Sequence, residues 1–233
     1  MYEISLVGKE YYDTILCVDQ VNLGETNACI SKNLRRGGTQ NFLDAVDDIG
    51  HIGVTHVGQK HATILSDLNR SMRTSFVSEE TEESLSDAHI TELQNHSKWV
   101  HIMYLDDLGG WDKTRELTCP ISVDFCTTKD RRPYMKVLTM SSIIFDSRER
   151  KELYRECEIE APIVLHDEYG AEVIQSGEKI FSVDMVPTPG LEVNGAGDIF
   201  ASYFLQNLGT LGLFESTATA MNKTTSLLTL RNK

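Results

Sequence analysis

The sequence predicts an α/β sandwich: three layers around a central, mostly parallel sheet. Three observations carry this. Short apolar, strand-like runs alternate with helix-length segments, a spacing that requires crossover connections and therefore a parallel sheet. The chain opens on the strand-like run Ile4–Val7. Near its other end a glycine-rich turn, Gly195-Ala196-Gly197, leads into an amphipathic segment. In sheets of this class ligands gather outside the carboxyl ends of the strands.

The elements follow in order. Ile4–Val7 and Thr14–Val18 read as strands, and Thr39–Ile49 as a helix closed by Gly50, glycine being the usual residue just past a helix end. Gly53–Val57 is a strand, His61–Leu68 a short helix and Arg73–Val77 a strand. The acidic stretch from Ser78 to Asp87 leads into a helix over Asp87–His96, with Ser86 as the expected N-cap. Trp99–Leu105, Ile121–Phe125 and Ile143–Phe145 are buried-type strands, the last feeding a charged helix from Ser147 to Glu156. Ile163–His166 and Ala171–Gln175 flank the turn Asp167-Glu168-Tyr169-Gly170 and form a hairpin, with Gly177–Val186 as the next strand. Two helices close the chain, from Gly195 to about Leu208 and from Phe214 to Leu230; many threonines weaken the second.

Composition narrows the function. The chain has 233 residues, 40% of them hydrophobic and 24% charged, which suits a soluble globular protein of one large domain or two small ones; a single domain over residues 1–233 is expected. The formal net charge is −13. Basic residues cluster only in pairs such as Arg35-Arg36 and Arg131-Arg132, so nucleic-acid binding is not expected. No apolar run suits a bilayer span, and the start lacks the basic charge of a signal peptide, which points to the cytoplasm and to no membrane partner. Five scattered cysteines without a C-x-x-C pair read as reduced thiols rather than a disulfide or zinc framework.

The segment Val193-Asn194-Gly195-Ala196-Gly197-Asp198-Ile199-Phe200 carries the most chemistry. Gly195 and Gly197 let the backbone approach a ligand and let successive N–H groups of Gly195, Ala196 and Gly197 point into one concavity. A helix N-terminus favours negative charge there, so the amides form an anion hole for a transferring phosphoryl group. Asp198, in the first helical turn, faces the same place as a base; a weak base is enough, because phosphoryl transfer depends on positioning and electrostatics. The pattern alone leaves open a plainer reading, in which the glycines turn the chain and Asp198 complements the helix dipole. No G-K-[ST] follows, so this is not a Walker loop. Phe200 stands where a dinucleotide fingerprint needs its third glycine, and Gly8-Lys9-Glu10-Tyr11-Tyr12 does not supply one after the first strand.

Asn194-Gly195-Ala196-Gly197-Asp198-Ile199-Phe200-Ala201 resembles the C-terminal signature of the PfkB, or ribokinase-like, kinases. Other stretches are similar to that family in the same order: Val7-Gly8 with Asp13, Asp19 to Thr26, Gly37-Gly38-Thr39-Gln40-Asn41, and Val164 to Ala171. The resemblance implies an ATP-dependent kinase, with magnesium, that phosphorylates a hydroxyl of a sugar or sugar-like small molecule. Asp198 would be the base; Asp13, Gly37, Gly38 and Asn41 would bind the acceptor; His166, Gly170 and Asn222 would meet the nucleotide. Asp146 and Glu149, in a stretch similar to the family's N-x-x-E motif, would organise magnesium. It also implies a reduced lid near residues 10–35 and 70–80, and a homodimer formed through that lid. The chain departs from the pattern at Leu165-His166-Asp167, where the family commonly has T-L-G. Glu192 stands where an Asp often helps bind a monovalent cation, so potassium is not expected. A second hypothesis stays open: a catalytically degenerate kinase-like fold that binds a ligand or partner without turnover.

Overall fold

Ile4–Val18 form one continuous strand, β1, where two were expected. Its second half shows why: Tyr11, Asp13, Ile15 and Cys17 are buried and alternate with the less buried Glu10, Tyr12, Thr14 and Leu16, the period-two signature of a strand lying on a core. In this computed structural model residues 1–70, 72–81, 83–155 and 157–232 are described, without the side chains of 79–81. The remaining elements, in chain order, are β2 (Ser31–Gly38), α1 (Thr39–Leu43), β3 (Ile52–Asp67), β4 (Met72–Thr81), α2 (Asp87–His96), β5 (Val100–Ile102), β6 (Ile121–Val123), α3 (Met135–Leu138), β7 (Ile143–Ser147), β8 (Ile163–Asp167), β9 (Gly170–Gln175), β10 (Glu178–Asp184) and α4 (Ala196–Arg231). The fold is mixed α/β around a large, mostly parallel sheet, as expected.

Several elements differ from the sequence reading. His61–Leu68, read as a helix, belongs largely to β3: Ala62, Ile64 and Ser66 point inward while His61 and Thr63 are exposed. Short period outweighed the helix-forming residues there. The helix expected over Thr39–Ile49 stops at Leu43, and β2 before it was not anticipated. The segment from Ser147 is a 3-10 turn over Arg148–Tyr154, and Glu156, its expected last residue, lies outside the described residues. Ser86 does cap α2: its hydroxyl accepts from the His89 amide at 3.3 Å, and the His89 ring accepts from the Ser86 amide at 3.2 Å. The two expected C-terminal helices run together as α4, interrupted at Gly212 by a non-helical φ of 74°. The threonines of its second half are accommodated because Thr217, Thr225 and Thr229 donate to carbonyls four residues back.

The chain divides into two compact units: Met1–Lys9, Asp47–Val57 and Glu82–Val186 make the first; Glu10–Val46, Gly58–Thr81 and Pro187–Lys233 make the second. The segments expected as a lid fall in the second. In the first unit the start of β1 pairs in parallel with β5, then β5 with β6, β6 with β7 and β7 with β8; β8, β9 and β10 continue antiparallel. Its core includes Val7, Leu93, Ile102, Val123, Ile144 and Leu165. The crossovers before β6, β7 and β8 consist mainly of 3-10 turns rather than long helices. In the second unit β2 pairs antiparallel with β1, and β4 with β3. Its α4 packs on α1, with Ala45, Leu191, Ile199 and Leu228 in a small core. No helix among the described residues is long and apolar enough to cross a membrane, and the five cysteines are free thiols.

Two features of the first unit yield predictions. Gly170 opens β9 at φ 138°, where a Cβ would sit 2.0 Å from the Val183 carbonyl oxygen. Gly170→Ala should lower stability by about 2–4 kcal/mol in urea unfolding. His101, fully buried in β5, contacts the Ser122 hydroxyl at 2.9 Å, and burial pushes its pKa down from 6.5 to about 3. The unfolded chain therefore takes up a proton that the folded one refuses. Its contribution to stability is complete above pH 6.5 and declines as pH falls toward 3, by up to about 1.4 kcal/mol per pH unit. His101→Asn should flatten the stability–pH curve between pH 6.5 and 5.

Candidate active site in the second unit

Asp198 is the third residue of α4, after Ala196 and Gly197, with Gly195 as the residue preceding the helix in a left-handed conformation (φ 80°). It is 2% exposed. The Asn41 side-chain amide, from α1, donates to its Oδ2 at 3.0 Å. Gly195 leaves room for this approach: a Cβ there would fall 2.3–2.6 Å from the Asn41 amide group. Gly195 is thus required twice, for its backbone conformation and for the close approach. On the far side Arg231, near the end of α4, donates to the Asn41 Oδ1 at 3.4 Å and to Asp44 at 2.6 Å. Burial lowers the Arg231 pKa, and the nearby Arg35 lowers it further.

The helix start leaves its first amides without a carbonyl one turn back. Ala196 is the exception among those expected to form the anion hole, since its N–H donates to the Val193 carbonyl at 3.1 Å. Gly197 follows in the same first turn, at the positive end of the helix that favours an anion.

Asp13 lies on β1 opposite Arg35 of β2. Its carboxylate is buried and accepts from the Asn194 side-chain amide at 2.8 Å. Burial raises its pKa, while the Asn194 hydrogen bond and the charges of Arg35 and Arg73 work against that rise. Gly37 gives it room: a Cβ at that position would be 2.3 Å from the Asp13 Oδ2. Gly38 turns β2 into α1 with φ 57° and ψ −121°, a conformation that favours glycine. Asp13, Gly37, Gly38, Asn41, Gly195, Gly197 and Asp198 are thereby collected in one neighbourhood, linked by the path Asp13–Asn194–Gly195–Asn41–Asp198.

Of the other expected site residues, Asn222 belongs to this second unit, and His166, Gly170, Asp146 and Glu149 belong to the first. Asn222 is exposed on the second half of α4, its amide donating to the Ala218 carbonyl of its own helix at 3.0 Å. His166 and Gly170 belong to the β8–β9 hairpin of the first unit. Burial lowers the His166 pKa to about 4. Asp146 does not fit the expected magnesium role. Its Oδ2 accepts from Arg131 and, at 2.6 Å, from the Tyr154 hydroxyl; its Oδ1 accepts from the Ser147 amide at 2.8 Å and from Arg150 at 3.2 Å. Four donors use the four acceptor sites of a carboxylate. The Arg131 guanidinium also lies 3.7 Å from the centre of the Phe125 ring, so this is a buried structural ion pair. Among the described residues no group of three or more His, Cys, Asp or Glu side chains is placed to hold a metal ion.

Sequence reading did not assign roles to Asn194, Glu192, Arg73 or Arg231, which complete the cluster. A signal was present for Arg35, which also joins the cluster: recognising Ser31–Gly38 as the partner strand of β1 would have set it across from Asp13, an oppositely charged cross-strand pair.

No protein-family model and no curated protein matches the sequence. Solved structures do match the fold. Ribokinase from Giardia lamblia superposes with a TM-score of 0.70 at 13% identity, over 95% of this chain and 90% of that one. A Methanocaldococcus jannaschii nucleoside kinase of the ribokinase family gives 0.67 at 14%, over 98% and 92%. Arabidopsis thaliana ribokinase, complexed with ribose and ATP, gives 0.64 at 13%, over 98% and 99%. The chain therefore has the ribokinase fold.

The saturated Asp146 makes a prediction. Asp146→Asn leaves the buried Arg131 cation uncompensated and should cost about 3–5 kcal/mol in urea unfolding, with no change in the magnesium dependence of any activity that survives.

Proposed function

We propose that this chain is an ATP-dependent kinase that phosphorylates a hydroxyl of a sugar or sugar-like small molecule. One observation carries the reading. The Asp198 carboxylate, oriented by Asn41, shares the first turn of α4 with the glycine amides, and Asp13 is reached from it through Asn194 and Gly195. The fold supports it, since the structures that share it include ribokinases and a nucleoside kinase, one with ribose and ATP bound.

The acceptor is held by Asp13, whose carboxylate accepts sugar hydroxyls, beside Gly37 and Gly38, where the chain can pass close to a ring. The reacting hydroxyl sits within hydrogen-bond reach of Asp198. Asp198 takes its proton as the oxygen forms a bond to the γ-phosphorus of ATP, the bond to the bridging β–γ oxygen breaks, and ADP leaves. Negative charge on the transferring group is met by the Gly195 and Gly197 amides at the positive end of α4, with Gly195 also shaping the turn. Ala196 has a lesser part because its N–H is engaged by Val193. Asn41 acts on Asp198, holding the base rather than the acceptor. His166, Gly170 and Asn222 stay as proposed nucleotide neighbours on the strength of the sequence resemblance, and Glu149, exposed on its 3-10 turn, as the proposed carboxylate near magnesium. A cytoplasmic homodimer belongs to the same proposal.

The test is ADP release with ATP, magnesium and a panel of sugars, sugar phosphates, nucleosides and glycated amines. At least one acceptor should be turned over. Asp198→Asn should then reduce kcat by about 10²–10⁴-fold and leave acceptor affinity within a few-fold. Wild-type protein that binds an acceptor in calorimetry yet releases no ADP would establish the non-catalytic alternative instead.

A further inference from the structure

Asn194 is 3% exposed and uses all four of its polar groups. Its backbone N–H donates to the Glu192 Oε1 at 2.6 Å, and its carbonyl accepts from the Arg35 Nη2 at 2.9 Å. Its side-chain nitrogen donates to the Asp13 Oδ2 at 2.8 Å, and its side-chain oxygen accepts from the Arg73 Nη1 at 2.7 Å. The same Arg35 nitrogen binds the Glu192 Oε2 at 2.7 Å. Three strands thus converge on one residue: β1 through Asp13, β2 through Arg35 and β4 through Arg73. The next residue is Gly195, whose left-handed turn sets the direction of the first α4 amides.

We propose that Asn194 is a positioning residue that couples the acceptor-binding strands to the anion hole. Asn194 and its arginines tie this turn to β1, β2 and β4. Glycine at 195 has a wide choice of backbone conformations, so the turn needs an external restraint, and the four bonds of Asn194 provide it. The Asp13 carboxylate is shared between Asn194 and the hydroxyls of an acceptor. Occupancy at Asp13 is therefore felt at Gly195, and by linkage an anion bound at the helix start changes acceptor affinity by the same factor. The consequence for turnover rests on the kinase reading; the coupling itself does not.

The experiment is hydrogen exchange of the wild-type protein, Asn194→Ser, Arg73→Gln, Arg73→Lys and the control Arg36→Gln, with kcat and KM measured in parallel. Arg73 is exposed on β4, so its replacement leaves the fold intact even where Asn194→Ser does not. Arg36 neighbours Arg35 on β2 but pairs with Glu10 instead. Asn194→Ser and Arg73→Gln should speed exchange in a peptide spanning 195–199 by about tenfold or more. Peptides from β5 to β8 and the Arg36→Gln protein should match wild type, and Arg73→Lys should recover part of the protection. With a working acceptor, kcat should fall tenfold or more in Arg73→Gln while KM for ATP stays within a few-fold. Unchanged exchange over 195–199 in Arg73→Gln overturns the proposal whatever the turnover. Accelerated exchange in a protein that phosphorylates nothing upholds the coupling and sinks the kinase reading alone.

Discussion

The close approach of Asn41 to Gly195 is the constraint from which the rest of the second unit follows. No side chain fits between them, so α1 and the start of α4 touch through an amide and a bare backbone. That contact places the Asn41 nitrogen on Asp198 and so aims a buried carboxylate with a neutral donor. A cation in the same place would hold the carboxylate more tightly and oppose proton uptake. A neutral amide orients it without bringing a charge of its own.

The two units handle buried charge in contrasting ways. In the first, Asp146 is closed off by two guanidinium groups, a phenol and a backbone amide, an arrangement that resists any change of partner. In the second, Asp13 has a single neutral donor at hydrogen-bond distance and two arginines acting through space. Its carboxylate is held in place but can still accept a hydroxyl. The difference separates a carboxylate that stabilises the fold from one that can trade partners with a ligand.

Much of this was legible in the sequence, and the failures have physical causes. The turn at Gly195–Gly197 and the N-cap at Ser86 were legible because they rest on local chemistry: glycine conformation and a capping hydroxyl. The boundary between the two halves of α4 was also legible, at Gly209–Gly212. His61–Leu68 was misread because its composition is indifferent between helix and strand, and pairing with β4 decided the outcome. The resemblance of the Asp146–Glu149 stretch to an N-x-x-E motif says nothing of Arg131, fifteen residues earlier in the chain, which pairs with Asp146. Arg73 and Arg231 act on the cluster from 121 and 190 residues away along the sequence, a separation that no local pattern encodes.

The elbow at Gly212 has a consequence for the topology of the chain. The beginning of α4 lies against Asn41, and Arg231 at its other end reaches the same side chain, while Asn232 accepts from the Glu192 amide at 3.0 Å. The helix is in effect a hairpin with both feet tethered and its bend in open space, since nothing lies within 4 Å of a Cβ built at Gly212. A covalent break at the bend would leave each foot held by its own bonds, and lengthening the bend carries only the slow, logarithmic penalty of a larger loop. The elbow is accordingly the natural port for circular permutation or for an inserted reporter domain.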